Sequence, residues 1–144
     1  MSNQQVEKAL VKADRWSKVI ALFFAMGLFG LSILLLGDLQ VSAVIAAFGA
    51  VGVRIYVPYH VSVFGEDSDG ISSQSYEMTG NYHHGAVGLG LVVASFAGLA
   101  FLAVEPTVDA AGTGIAAGAV YSALGLGIAV GALVFVVLRS VLPS

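Results

Sequence analysis

Cysteine is absent from this chain, which excludes disulfides, thiolate metal sites and lipidated thiols. Charge is scarce as well: 10% of the 144 residues are charged, with six Lys and Arg against nine Asp and Glu. Lysine occurs only at Lys8, Lys12 and Lys18, and every carboxylate lies in a loop, a tail or at the end of an apolar run. A proton or ion carrier ordinarily places an Asp, Glu or deep His within its spans, and this chain offers none. It also lacks an activated nucleophile, paired carboxylates inside an apolar run, and a phosphate-cradling glycine loop following a strand. The expected reading is a non-enzymatic protein without a cofactor or a metal.

What is abundant is apolar sequence, at 58% of the chain. It falls into four runs at about 19–36, 41–64, 85–104 and 114–138, the second continuing past Pro58 if the proline only kinks it. About 20 apolar residues at 1.5 Å each cross a hydrocarbon layer roughly 30 Å thick. The predicted fold class is therefore an all-α integral membrane protein with four transmembrane helices. The first run is longer than a signal-peptide core and is read as a retained span. With the N-terminus inside, Lys8, Lys12, Arg15, Lys18, Arg54 and Arg139 all lie inside, while the outer loops carry Asp38, Glu105 and Asp109.

Ahead of the first span, residues 1–18 predict a short amphipathic helix lying on the inner membrane surface. Ser2 and Gln5 form a capping-box pattern. Val6, Ala9, Leu10, Ala13 and Trp16 share one face, the basic residues share another, and Asp14 is one turn from Lys18. Lys8, Lys12, Arg15, Trp16, Lys18 and Arg54 are the expected membrane-surface contacts. Arg54 is read as snorkelling to headgroups, because no span supplies it with an acid. The membrane domain is 19–138, with an inner loop at 65–81 and an inner tail at 139–144.

Small residues recur every fourth position in three spans: Ser42, Ala46 and Ala50; Ala86, Gly90, Ala94 and Gly98; Ala119, Ala123, Gly127 and Gly131. Such stripes let backbones approach closely where lipid supplies no hydrophobic drive for pairing. Helices two, three and four are accordingly expected to form a tight core. Helix one, rich in Leu and Phe, is expected outside it. His60, His83 and His84 are expected at the inner interface, bonded to headgroups, backbone or water. Asp67-Ser68-Asp69-Gly70 fails as a calcium loop, because Gly65 and Tyr76 occupy its first and last ligand positions.

Size, four spans, the basic segment 6–18, the acidic loop 66–77 and the lack of cysteine together resemble the small four-span membrane protein of the pleomorphic haloarchaeal viruses. In that family a lipid vesicle encloses the genome, and this protein lines the inner side of the envelope. The resemblance implies a structural protein of the virion membrane, from a halophilic setting to which the acidic loop is suited. Its expected partners are the bilayer, a spike or other membrane protein, further copies of itself, and weakly the genome, since four basic residues are few for tight binding. A small channel, holin-like pore or transporter, or an accessory subunit of a membrane complex, remains the alternative. The topology is directly testable. Single cysteines at Ser2, Ser73 and Thr107 in intact cells should react with an impermeant thiol reagent at Thr107 alone. Reaction at Ser73 would overturn the inside assignment.

Overall fold

The computed structural model describes residues 3–64, 82–104 and 114–142. The inner loop 65–81, Ser2 of the capping box, and Glu105 and Asp109 lie outside the described residues. Among the described residues there are four helices: α1 (Asn3–Leu36), α2 (Leu39–Phe64), α3 (Tyr82–Val104) and α4 (Ala117–Val141). Each is long and apolar enough to cross a membrane, which makes this a multi-pass integral membrane protein. Pro58 sits inside α2 and the helix runs through it to Phe64. The proline has no N–H to offer the carbonyl one turn back, the usual cause of a local bend.

Two expectations need correction. No separate amphipathic helix precedes the first span, because α1 continues unbroken for 34 residues. At helical rise this is about 51 Å against a hydrocarbon core of roughly 30 Å, so the basic segment extends the span beyond the bilayer. No helix-breaking residue occurs between Asn3 and the apolar run, and nothing in the chain turns the helix onto the surface.

The second correction concerns the order of packing. The helices form a row in which α1 packs on α2, α2 on α3 and α3 on α4, with only slight contact between α1 and α3. The middle of the fold is thus α2 and α3, and both α1 and α4 are outer members. Helix one is held because it has a small-residue face of its own. Ala13, Ser17, Ala21, Leu28 and Ser32 are buried at steps of one or two turns. The Leu and Phe residues that dominate its composition, such as Phe23 and Leu34, lie on the exposed side.

The α2–α3 crossing depends on glycines that the four-residue stripes do not include. A Cβ on Gly52 would stand 2.6 Å from the Gly88 carbonyl oxygen, and one on Gly88 would stand 2.7 Å from the Tyr56 nitrogen. Both obstacles are backbone and cannot rotate away. At Gly85 the missing side chain makes room for the fully buried ring of Tyr59. Gly49 leaves room for Phe24 and Leu28 of α1 to pass across α2. Phe24 then meets Phe96 of α3 edge-on, with ring centroids 6.0 Å apart.

The α3–α4 pair uses the opposite stripe of α3 in antiparallel register. Gly90 lies against Gly131, Ala94 against Gly127, and Gly98 opposite Ala123. Ser42 and Ala46 are buried in α2, and Ala50 is half-buried.

Glycine replacement separates close approach from mere composition. Gly88→Ala and Gly52→Ala each place a methyl into backbone and should destabilise the detergent-solubilised protein by about 1–3 kcal/mol, the usual cost of overpacking. Gly27→Ala, which meets nothing within 4 Å, should be neutral or raise stability by up to about 1 kcal/mol through helix propensity. Equal melting shifts for all three would refute the crossing.

Candidate functional site

The charged side chains among the described residues lie toward the two ends of the helices. At the end carrying the N-terminus, Arg54 of α2 reaches α1. One guanidinium nitrogen donates to Asp14 Oδ1 at 2.9 Å, and the other donates to Ser17 Oγ at 3.0 Å. Ser17 has no exposed surface, and its hydroxyl donates to the Asp14 carbonyl at 2.7 Å. Lys18 donates to Asp14 Oδ2 at 2.6 Å, the helical pair expected from the sequence. Both Asp14 oxygens are thereby occupied by cations from two helices.

This arrangement amends the reading of Arg54. Snorkelling to headgroups would leave its donors free for lipid and water. It lands on α1, however, and two of its donors are committed there. The acid missing from the spans comes from the aqueous extension of α1. Since the guanidinium is partly exposed, the clip is a positioning contact more than a large source of stability.

Trp16 stands about 30 Å along α1 from Leu36, one hydrocarbon thickness. Its ring is exposed, as suits an interfacial aromatic. Lys8, Lys12 and Arg15 are exposed beyond it, on one side of the helix at steps of four and three residues. Tyr56, Tyr59, His60, Tyr82 and His83 form an aromatic layer at the same end. Tyr56 Oη and His60 Nδ1 lie 3.2 Å apart, and the His83 ring lies 4.1 Å from that of Tyr82 and stacks on Phe135 at 5.9 Å. All three histidines are exposed. Among the described residues no group of His, Asp or Glu is gathered in the manner of a metal site.

At the opposite end, Asp38 holds three elements. Gly37 takes the left-handed conformation, φ 66°, that ends α1. Asp38 then caps α2, its Oδ1 accepting from the Val41 N–H at 3.0 Å. Its other oxygen accepts from the Ile115 N–H at 3.2 Å, just before α4. Residues far apart in sequence are joined here by one carboxylate.

Between α2 and α4, over the face of α3, runs a groove of about 710 Å³. It exists because α2 and α4 both pack on α3 but make little contact with each other. Its walls include Val44 and Phe48 on one side and Leu124 and Ile128 on the other, with Ala94 and Gly98 in its floor. Its polar lining is Asp38, Gln40 and Tyr121 toward the end where α2 and α4 begin, and Ser95 midway along α3.

Comparison with protein-family models, curated proteins and solved structures finds no match to this chain. Its chemistry must be read from its own residues.

Of the residues singled out in the sequence, Arg54 and Lys18 meet at Asp14, and the α3 and α4 stripes meet each other. The sequence reading missed Ser17, Gly49, Gly52, Gly85 and Gly88. A three-residue step from Gly85 to Gly88, and a one-turn series through Ala13, Ser17 and Ala21, were the available signals. Neither matches a four-residue period confined to the apolar runs.

The clip predicts a rescue. At low salt, Asp14→Arg and Arg54→Asp should each lower the melting temperature of the solubilised protein. The double exchange should recover a substantial part of either loss, because the opposite charges face each other again. No recovery would show that the contact is not formed.

Proposed function

We propose that this protein is a structural, non-enzymatic component of a membrane envelope, seated with both ends inside, and that it organises the inner side of that membrane. The observation that carries the proposal is the continuous α1. One rigid element spans the bilayer and carries Lys8, Lys12 and Arg15 roughly 20 Å or less past its inner boundary. A helix projecting from the membrane presents its cations to the enclosed interior, while Trp16, Lys18 and Arg54 hold the level of the boundary. The all-helical row supports the same reading: its close contacts are between backbones, which makes a stiff slab with two open outer faces.

The architecture-level resemblance to the small membrane protein of pleomorphic haloarchaeal viruses stays within this proposal, as does a halophilic setting. In such an envelope the anionic lipid of the inner leaflet is the first partner of the basic segment, and the enclosed nucleic acid is the second. Attraction to anionic lipid is worth about 1 kcal/mol per Lys or Arg in moderate salt and fades as salt screens it.

The test is recovery and orientation in particles. The tagged chain should band with lipid-enclosed nucleic acid in a buoyant gradient, and a protease should reach the segment before Val11 only after detergent is added. A chain recovered solely in cell membranes, or cut in intact particles, would overturn the proposal. Ion or dye flux through reconstituted vesicles would instead support the channel reading. Lys8→Gln, Lys12→Gln and Arg15→Gln combined should leave orientation intact, since Lys18, Arg54 and Arg139 remain inside, and should lower particle yield several-fold. Unchanged yield would show that the projecting cations are dispensable.

A further inference from the structure

The clip at Asp14 gathers more positive charge than it neutralises. We infer that Arg54 and Lys18 form a binding site for the phosphate of one anionic lipid, in the leaflet nearer the N-terminus. This depends only on the protein being in a bilayer, and it stands apart from the envelope reading.

Three observations carry it. The first is charge. Arg54 and Lys18 stand 2.9 Å and 2.6 Å from the two oxygens of one carboxylate, so one positive charge is left over. Arg15, three residues from Lys18 on α1, is exposed beside them. A guanidinium has five N–H donors and an ammonium three. The clip engages two of the first and one of the second, and the side chains stay 43% and 60% exposed. Both cations therefore have donors left for an anion, and phosphate accepts from Arg and Lys in strong charge-assisted bonds.

The second is fixed geometry. Ser17 has no exposed surface and accepts from Arg54 at 3.0 Å. The guanidinium is thus held on α1 by a buried hydroxyl as well as by Asp14, and Lys18 is tied to the same carboxylate from one turn away. Long side chains ordinarily lose rotamer freedom when they take up a ligand. These two have already lost it.

The third is the surface beside the cations, and it selects lipid among anions. Arg54 shares its face of α2 with Ala50, Ala47 and Ala43, at steps of four, three and four residues. Ala43 and Ala47 are exposed and Ala50 is half-buried. From Arg54 this face runs about 17 Å into the membrane on alanine alone. A lipid whose phosphate sits at Arg54 lays a chain along it. A free phosphate or a nucleic acid gains nothing from it.

The probe is phosphatidylglycerol, mixed equally with phosphatidylcholine in nanodiscs holding the full-length protein. Native mass spectrometry counts the lipids each chain retains in about 0.5 M ammonium acetate, where diffuse attraction is largely screened. The wild-type protein should retain one phosphatidylglycerol, at least fivefold over phosphatidylcholine. Arg54→Gln should cut that retention at least fivefold. Lys18→Gln, at a surface position that leaves the helix contacts in place, should cut it at least threefold. Lys8→Gln combined with Lys12→Gln removes two cations outside the site and should leave retention unchanged. Asp14→Asn takes away the competing carboxylate while Ser17 still holds Arg54, so retention should rise at least twofold even though the clip weakens. Equal retention of the two lipids by the wild type would overturn the inference without any variant. A fall with Asp14→Asn would overturn it, as would a larger loss from the Lys8 and Lys12 pair than from Lys18→Gln. Displacement of the lipid by an equal concentration of inorganic phosphate, or of a short DNA strand, would overturn it in favour of a soluble anion or of nucleic acid.

Discussion

Lipid tails are as apolar as leucine, so burying apolar surface gives these helices no reason to associate. What remains is van der Waals contact, and its short range requires backbones to come close. The contact between Gly52 and Gly88, where either Cβ would run into the other helix's backbone, meets that requirement at the centre of the row. Other features follow from it. Tyr59 lies flat on Gly85 because α2 and α3 are already that near, and Phe24 reaches Phe96 only because Gly49 leaves a gap in α2.

A row held by close backbone contact needs something to set its ends, and single carboxylates supply it. Asp14 gathers Arg54 and Lys18 at the end that carries the N-terminus, while Asp38 gathers Val41 and Ile115 at the opposite one. Each stands near the level where hydrocarbon gives way to water, so the desolvation cost of a charged group is limited while its direction is still useful. The fold is thus glued by absent side chains within the membrane and registered by polar ones at its faces. The packing also accounts for the groove, because α3 presents different stripes to α2 and α4 and so holds its neighbours apart.

Helix number, the spans and the basic asymmetry were legible without coordinates. They depend on composition averaged over about 20 residues, and the bilayer imposes that length on any chain. The stripes Gly90–Ala94–Gly98 and Ala123–Gly127–Gly131 were legible too, because a four-residue period is a property of one helix. Which stripe meets which was another matter. Two helices with equivalent small faces are interchangeable until a third dimension ranks them, and Gly85, Gly88 and Ser95 on α3 compete with Gly90, Ala94 and Gly98. The exposed Phe and Leu of α1 dominate its composition and mask Ala13, Ser17 and Ala21 on the other side.

Arg54 marks the boundary between the two kinds of knowledge. By itself the sequence determined that an arginine stands in the second half of an apolar run and that its charge must leave the hydrocarbon, since hydration outweighs every local alternative. Only the tertiary structure decided that it leaves toward Asp14, 40 residues away. That choice depends on the rotation and offset of α1 against α2. Those are set by where Ala13, Ser17, Ala21 and Gly49 allow the backbones to meet, a matter of ångström-scale shape that no average along one chain contains.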